Sequence, residues 1–206
     1  MAENKVKIAV LVSGGGTNLQ AIIDSQQSGA LHSGEVTLVV SNNPGAFALV
    51  RAQRANIPTV TLTRRECGGA WEFEARLTGV LEEYGVELIV LAGFMTILSP
   101  AFTARYDRRI LNVHPSLIPS FCGEGFYGLK VHEAALAKGV KVTGATVHFV
   151  NEIPDGGEIL LQKAVPVEPG DTPETLQRRV MEQAEWQLLP AAAEMVCAQI
   201  LSERNP

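Results

Sequence analysis

The stretch KIAVLVSGGGTN, residues 7–18, decides the fold. Its first half is an apolar, partly β-branched run and its second a glycine turn; Leu19, Ile22 and Ile23 then follow at helical spacing, so the segment reads strand, turn, helix. That junction favours an anion. Glycines let the backbone come close, the first amides of the helix have no intrahelical acceptor, and the helix dipole adds partial positive charge. Thr17 and Asn18 add side-chain donors beside Gly16. A dinucleotide fingerprint would require Gly or Ala at position 19 and an acid closing the second strand. The chain has Leu19 instead, and the second strand, residues 36–40, ends in Ser41-Asn42-Asn43. No Lys-Ser/Thr pair follows the glycines, as a Walker loop demands. A single phosphate monoester is the simpler ligand for Gly16, Thr17 and Asn18.

Downstream, residues 46–55 read as a helix and 59–62 as a third short strand. Residues 70–84 form a helix on the spacing of Phe73, Leu77, Val80, Leu81 and Tyr84, with Gly85 suited to a left-handed cap. The run ELIVLA, residues 87–92, is almost continuously apolar, as a parallel strand covered on both faces would be. After it, Gly93-Phe94-Met95-Thr96-Ile97-Leu98 keeps apolar side chains where a loop belongs, which points to an apolar pocket at the end of a central strand. Residues 99–106 are a short helix with Pro100 at its first position. The next strand ends in LNVHPSLIP, residues 111–119. Asn112 and His114 are two apart and share one face, a neutral donor beside a group that titrates near neutral pH, and Pro115 and Pro119 stiffen the loop beyond. A lone His there would ordinarily be a solvated strand end. Its neighbours change that reading, because alternating strands and helices give a doubly wound parallel sheet whose strand ends collect on one edge. The glycine loop, the apolar loop and Asn112/His114 should converge there.

The glycine-rich, aromatic segment 121–128 reads as a mobile loop. A helix follows over 129–138, then strands over 143–150 and 158–167 with no helix between them, hence an antiparallel hairpin. Asp155 lies in its turn, residues 151–157, where an Asp ordinarily bonds nearby backbone amides. Asp171-Thr172-Pro173-Glu174 starts a long final helix over 172–194 that Pro190 should kink.

At 206 residues, 46% hydrophobic and 19% charged, the chain fits one domain, residues 1–206, with a sizeable core. A net charge of -5 gives no footprint for nucleic acid or for an anionic membrane. Three widely spaced cysteines, Cys67, Cys122 and Cys197, suit neither a disulfide framework nor a zinc site, and fit a reducing cytoplasm. No leader and no apolar run of about 18 residues is evident. No cluster offers itself as a metal site.

Taken together, SGGGTN, LAGFMTIL, NVHPSLIP, TGATVHFV and the DGG turn, in this order, resemble the folate-dependent glycinamide ribonucleotide formyltransferase family over residues 7–193. The resemblance implies a single-domain α/β fold and transfer of a formyl group from the co-substrate 10-formyltetrahydrofolate to glycinamide ribonucleotide in purine (IMP) biosynthesis, without a metal. It places the ribonucleotide phosphate on Gly16, Thr17 and Asn18, with Glu185 as a further substrate-binding acid. The folate falls in a slot of Met95, Thr96, Ile97, Leu98 and Asn112, closed by Asn151, Glu152, Ile153, Pro154 and Asp155. Asn112, His114 and Asp155 are the implied catalytic triad: two donors to an oxyanion, and a carboxylate that raises the His114 pKa toward working pH and organises a proton-relaying water. Partners are then small molecules, with neither nucleic acid nor membrane, and the enzyme a monomer or homodimer.

Three departures stand out. Ala70 replaces an arginine that faces the folate tail in the family, leaving Arg64 or Arg65 as the alternatives. The loop 120–130 is longer than usual. Residues 180–185 hold one extra residue, and Trp186 replaces a usual His. Competing readings are a deformylase or tRNA formyltransferase on the same fold, each needing a further domain, a non-catalytic nucleotide-binding module, and a dehydrogenase, which Leu19 and Asn42 oppose.

Overall fold

A computed structural model of the chain describes residues 5–204. Residues 1–4 and 205–206, and with them the expectation of a leaderless start and the two ends of the 1–206 domain, lie outside the described residues. Seven strands form one sheet: β1 (Val6–Val12), β2 (Gly34–Ser41), β3 (Thr59–Thr61), β4 (Leu88–Leu91), β5 (Ile110–His114), β6 (Val142–Phe149) and β7 (Ile159–Pro166). The order across the sheet is β3-β2-β1-β4-β5-β6-β7. The first five strands in sequence are parallel, β6 is antiparallel to β5, and β7 is antiparallel to β6. This is the expected doubly wound, mostly parallel sheet ending in an antiparallel hairpin.

The helices are α1 (Thr17–Ser28), α2 (Phe47–Arg54), α3 (Arg64–Cys67), α4 (Ala70–Glu83), α5 (Pro100–Arg105), α6 (Leu129–Lys138), α7 (Pro173–Val180) and α8 (Trp186–Arg204). Alternate residues of the central strands feed two cores, which explains their unbroken apolar runs. Ile8, Val10, Leu88 and Val90 pack in the core that includes residues of α1 and α8; Ala9, Leu11, Ile89 and Leu91 pack in the other, with Phe73, Leu77 and Leu81 of α4. Each fully buried Val, Leu, Ile or Phe among them stabilises the fold by roughly 1.5–3 kcal/mol.

The strand order reverses at β1, which lies between β2 and β4, and the crevice this opens at the strands' carboxyl ends is where such sheets take ligands. Three exits meet there. The Met95 amide donates to Ser13 Oγ at 2.9 Å, and Asn42 Nδ2 donates to Thr96 Oγ1 at 2.8 Å, so the loops after β1, β2 and β4 are bonded to one another.

Four details differ from the sequence reading. Helix α3 had been missed, although Thr63 caps it by accepting from the Glu66 amide while its own hydroxyl donates to the Glu66 carboxylate. At α7 the cap is Thr172, bonded reciprocally with Thr175, rather than Asp171 with Glu174. The final helical segment runs to Arg204 and passes through Pro190 without ending. A π turn over Met181–Glu185 interrupts the helical run before it. A π turn holds one more residue than the α-helix it interrupts, and it falls in the stretch 180–185 where an extra residue is expected.

Candidate active site

The register of β5 and β6 builds the centre of the site. Asn112 pairs with His148 and His114 with Thr146, so all four side chains issue from one face of the sheet. The turn after β6 brings the carboxylate. Asp155 takes a left-handed backbone (φ 56°), which Asp tolerates, and a Cβ at Gly157 would lie 1.7 Å from the Phe149 carbonyl oxygen. Only glycine lets the turn return that close to β6.

Asp155 then stands among four groups. Its Oδ2 accepts from the Gly123 amide at 2.9 Å and lies 3.4 Å from His114 Nδ1. Its Oδ1 lies 3.5 Å from both Asn112 Nδ2 and His148 Nε2. Burial works to raise this carboxyl, but His148, the charge of His114 and the Gly123 amide outweigh it and hold it below the ordinary carboxylate range. The tautomers follow from the carbonyls. His114 Nε2, 2.8 Å from the Phe121 carbonyl oxygen, carries its proton, and His148 Nδ1, 2.7 Å from the Phe149 carbonyl oxygen, carries the other. Asn112 Nδ2 also lies 3.2 Å from His148 Nε2.

The expected upward shift of His114 is corrected. Asp155 does push in that direction, but burial is the larger effect and the His114 pKa falls below its ordinary value. His148 was missed, although the alternation Thr146, His148 in an otherwise apolar strand was its signal. From the loop 121–128, the Phe121 carbonyl meets His114 and the Gly123 amide meets Asp155.

Beside this cluster lies a cavity of about 120 Å³. Thr96, Ile97, Leu98 and Asn112 line it together with Asn151, Glu152, Ile153, Pro154 and Asp155, so the candidates for the folate slot converge. Met95 does not join them, the residue being 58% exposed while its amide donates to Ser13 Oγ. Of the two alternatives to the missing arginine at Ala70, Arg64 reaches the apolar loop, donating to the Ile97 carbonyl at 2.9 Å.

The second group of candidates also meets. Asn18 Nδ2 donates to Glu185 Oε2 at 2.7 Å, and the Thr17 hydroxyl lies 3.9 Å from Met181 Sδ. The Asn18 side-chain donor expected for a phosphate is thus partly committed to Glu185, and Asn18 Oδ1 is buried without a partner among the described residues. Burial pushes the Glu185 carboxyl up to about 7 against the opposing bond from Asn18. The three cysteines are free. Among the described residues, no group of three or more His, Cys, Asp or Glu side chains is arranged to hold a metal, and no helix is long and apolar enough to cross a membrane.

Known proteins resemble this chain in sequence and fold. The chain is 45% identical over 184 residues to the phosphoribosylglycinamide formyltransferase of Haemophilus influenzae, covering 89% of this chain and 84% of that protein. It is 50% identical over 195 residues to the trifunctional purine biosynthetic protein adenosine-3 of Gallus gallus, covering 95% of this chain but 19% of that protein. The chain thus spans about a fifth of the trifunctional relatives it matches. Glycinamide ribonucleotide transformylase 1 from Symbiobacterium toebii superposes with a TM-score of 0.88 at 40% identity, covering 95% of this chain and 89% of that one. The profile described as formyl transferase matches residues 6–193, and the chain belongs to the formyl transferase family.

Proposed function

We propose that the chain transfers the formyl group of 10-formyltetrahydrofolate to the amine of glycinamide ribonucleotide, giving formylglycinamide ribonucleotide for purine synthesis in the cytoplasm. The single observation that carries the reading is the cluster of amide, imidazole and carboxylate at the wall of the apolar cavity, in a chain whose full-length relative is named for this activity.

The amine nitrogen attacks the formyl carbon, a tetrahedral intermediate forms with charge on oxygen, the bond from carbon to the folate nitrogen breaks, and a proton passes from the attacking amine to that nitrogen. Asn112 donates to the oxygen. The incoming oxygen replaces Asp155 as acceptor of one Nδ2 proton, an exchange favoured because that contact is long at 3.5 Å. The Phe121 carbonyl oxygen occupies the place against His114 Nε2–H that the developing oxyanion would take. Burial disfavours the His114 imidazolium, which gains as negative charge builds beside it, with Asp155 held below the ordinary carboxylate range to receive it. Asp155 also holds the water that relays the proton. The pterin enters among Ile97, Leu98 and the turn 151–155, Arg64 faces the folate tail, and the phosphate rests on Gly16, Thr17 and Asn18 with Glu185 beside it.

The test is the change in folate absorbance when purified protein meets both substrates. Transfer that depends on glycinamide ribonucleotide is expected. Formate released without it would favour a deformylase, and phosphate binding without turnover a non-catalytic module.

A further inference from the structure

We propose that Arg51, with Asn43 and the amide of Ala48, clamps the carbonyls of the glycine loop and so turns its amides outward as a nest for the substrate phosphate. Arg51 is then a positioning residue, and the inference rests on the ribonucleotide reading given above.

Three successive carbonyls carry the argument. The oxygen of Ser13 accepts from Asn43 Nδ2 at 3.1 Å, that of Gly14 from the Ala48 amide at 3.0 Å, and that of Gly15 from Arg51 Nε at 2.8 Å. All three donors belong to one stretch, from the end of β2 into the second turn of α2. In a trans peptide the N–H points opposite to the carbonyl of the same unit. Drawing three consecutive carbonyls toward α2 therefore turns the amides of Gly14, Gly15 and Gly16 away from it, and no described residue accepts from them. Gly16 is left-handed (φ 72°, ψ 32°), the kind of conformation in which successive amides form an anion-binding concavity.

Gly16 also permits the clamp sterically. A Cβ there would lie 2.6 Å from Ala48 Cβ and 2.8 Å from Ala48 Cα, so any larger residue would push α2 off the loop. The rest of the Arg51 guanidinium is engaged locally: Nη1 donates to Gln20 Oε1 at 3.1 Å, and the group lies 5.2 Å from the centre of the Phe47 ring. Arg51 thus braces the loop between α1 and α2, and the loop amides are what meet the anion.

Two variants separate orientation from charge. Arg51→Met has similar length and no donor, whereas Arg51→Gln places an amide nitrogen where the arginine Nε stands and carries no charge. Calorimetry with inorganic phosphate, without folate, gives anion affinity directly; steady-state kinetics give KM for each substrate and kcat. Arg51→Met is expected to weaken phosphate binding and raise KM for glycinamide ribonucleotide about 10-fold, the scale of one well-placed hydrogen bond. KM for the folate and kcat should stay near their original values, and Arg51→Gln should recover most of the loss. Unchanged phosphate affinity in Arg51→Met overturns the clamp, and so does an equal loss in both variants, which would make the charge itself the ligand. Wild-type protein that binds no phosphate overturns it too. Wild-type protein that binds phosphate but transfers no formyl group removes the proposed function and leaves the clamp standing.

Discussion

Asp155 and Glu185 are both carboxylates taken out of water, yet they end in opposite states. Asp155 is approached by a backbone amide, an amide side chain and two imidazoles, and is held below the ordinary carboxylate range. Glu185 has one donor, Asn18 Nδ2, and is pushed up to about 7. The polar and chargeable groups that face a carboxyl decide whether the cost of burying its charge is offset. His132 on α6 extends the series. It is fully buried, neither ring nitrogen has a partner among the described residues, and burial with the nearby His114 lowers it to about 4.

The comparison breaks first at Asp155. Asp155→Asn keeps the shape of the group and removes the charge that the imidazolium needs, and it should lower kcat by at least ~100-fold, as should His114→Ala. Near-normal turnover in either folded variant would refute the roles given to them.

At Glu185 the prediction concerns stability and has a definite sign. The folded protein binds this proton more tightly than the unfolded chain does, so the group's contribution is present below about 4.5 and is lost as pH rises toward about 7. Glu185→Gln, which still accepts from Asn18, should abolish that slope and be more stable than wild type by about 3 kcal/mol at pH 7 and above, relative to their difference below pH 4.5. Denaturant titrations across this range check it; parallel curves for the two proteins would mean that the carboxyl is not raised. The same variant should weaken glycinamide ribonucleotide binding.

The smallest effect is expected at His132, where the sign reverses. The folded state resists protonation, so stability is lost as pH falls from 6.5 toward about 4. His132→Leu removes no hydrogen bond and should gain about 1 kcal/mol over wild type at pH 5.5, in thermal or urea melts, relative to their difference at pH 8. A gap that does not change with pH would show that the ring finds a partner.

Much of this was legible in the chain. The glycine turn after β1 carries its own local signal, and the unbroken apolar run of β4 announces a strand covered on both faces. Asn112 and His114 could be placed on one face because a strand's side-chain period is fixed. His148 could not be placed beside them, since that depends on the register between β5 and β6, which no local preference sets. The net state of His114 was likewise out of reach: the family resemblance implies Asp155 as a neighbour that raises its pKa, but not the burial that outweighs it.

By itself the sequence determined the alternation of strands and helices, the edge on which the loops meet, and which residue types bring chemistry there, because these follow from period, glycine placement and connection rules that act over a few residues. Only the tertiary structure decided that residues 181–185 form a π turn whose last residue, Glu185, bonds Asn18, that Asp155 is shared by two imidazoles rather than one, and that the β2–α2 segment draws the glycine-loop carbonyls to itself. Each of these joins residues distant in the chain, and the energy that selects them comes from packing and burial of the folded whole.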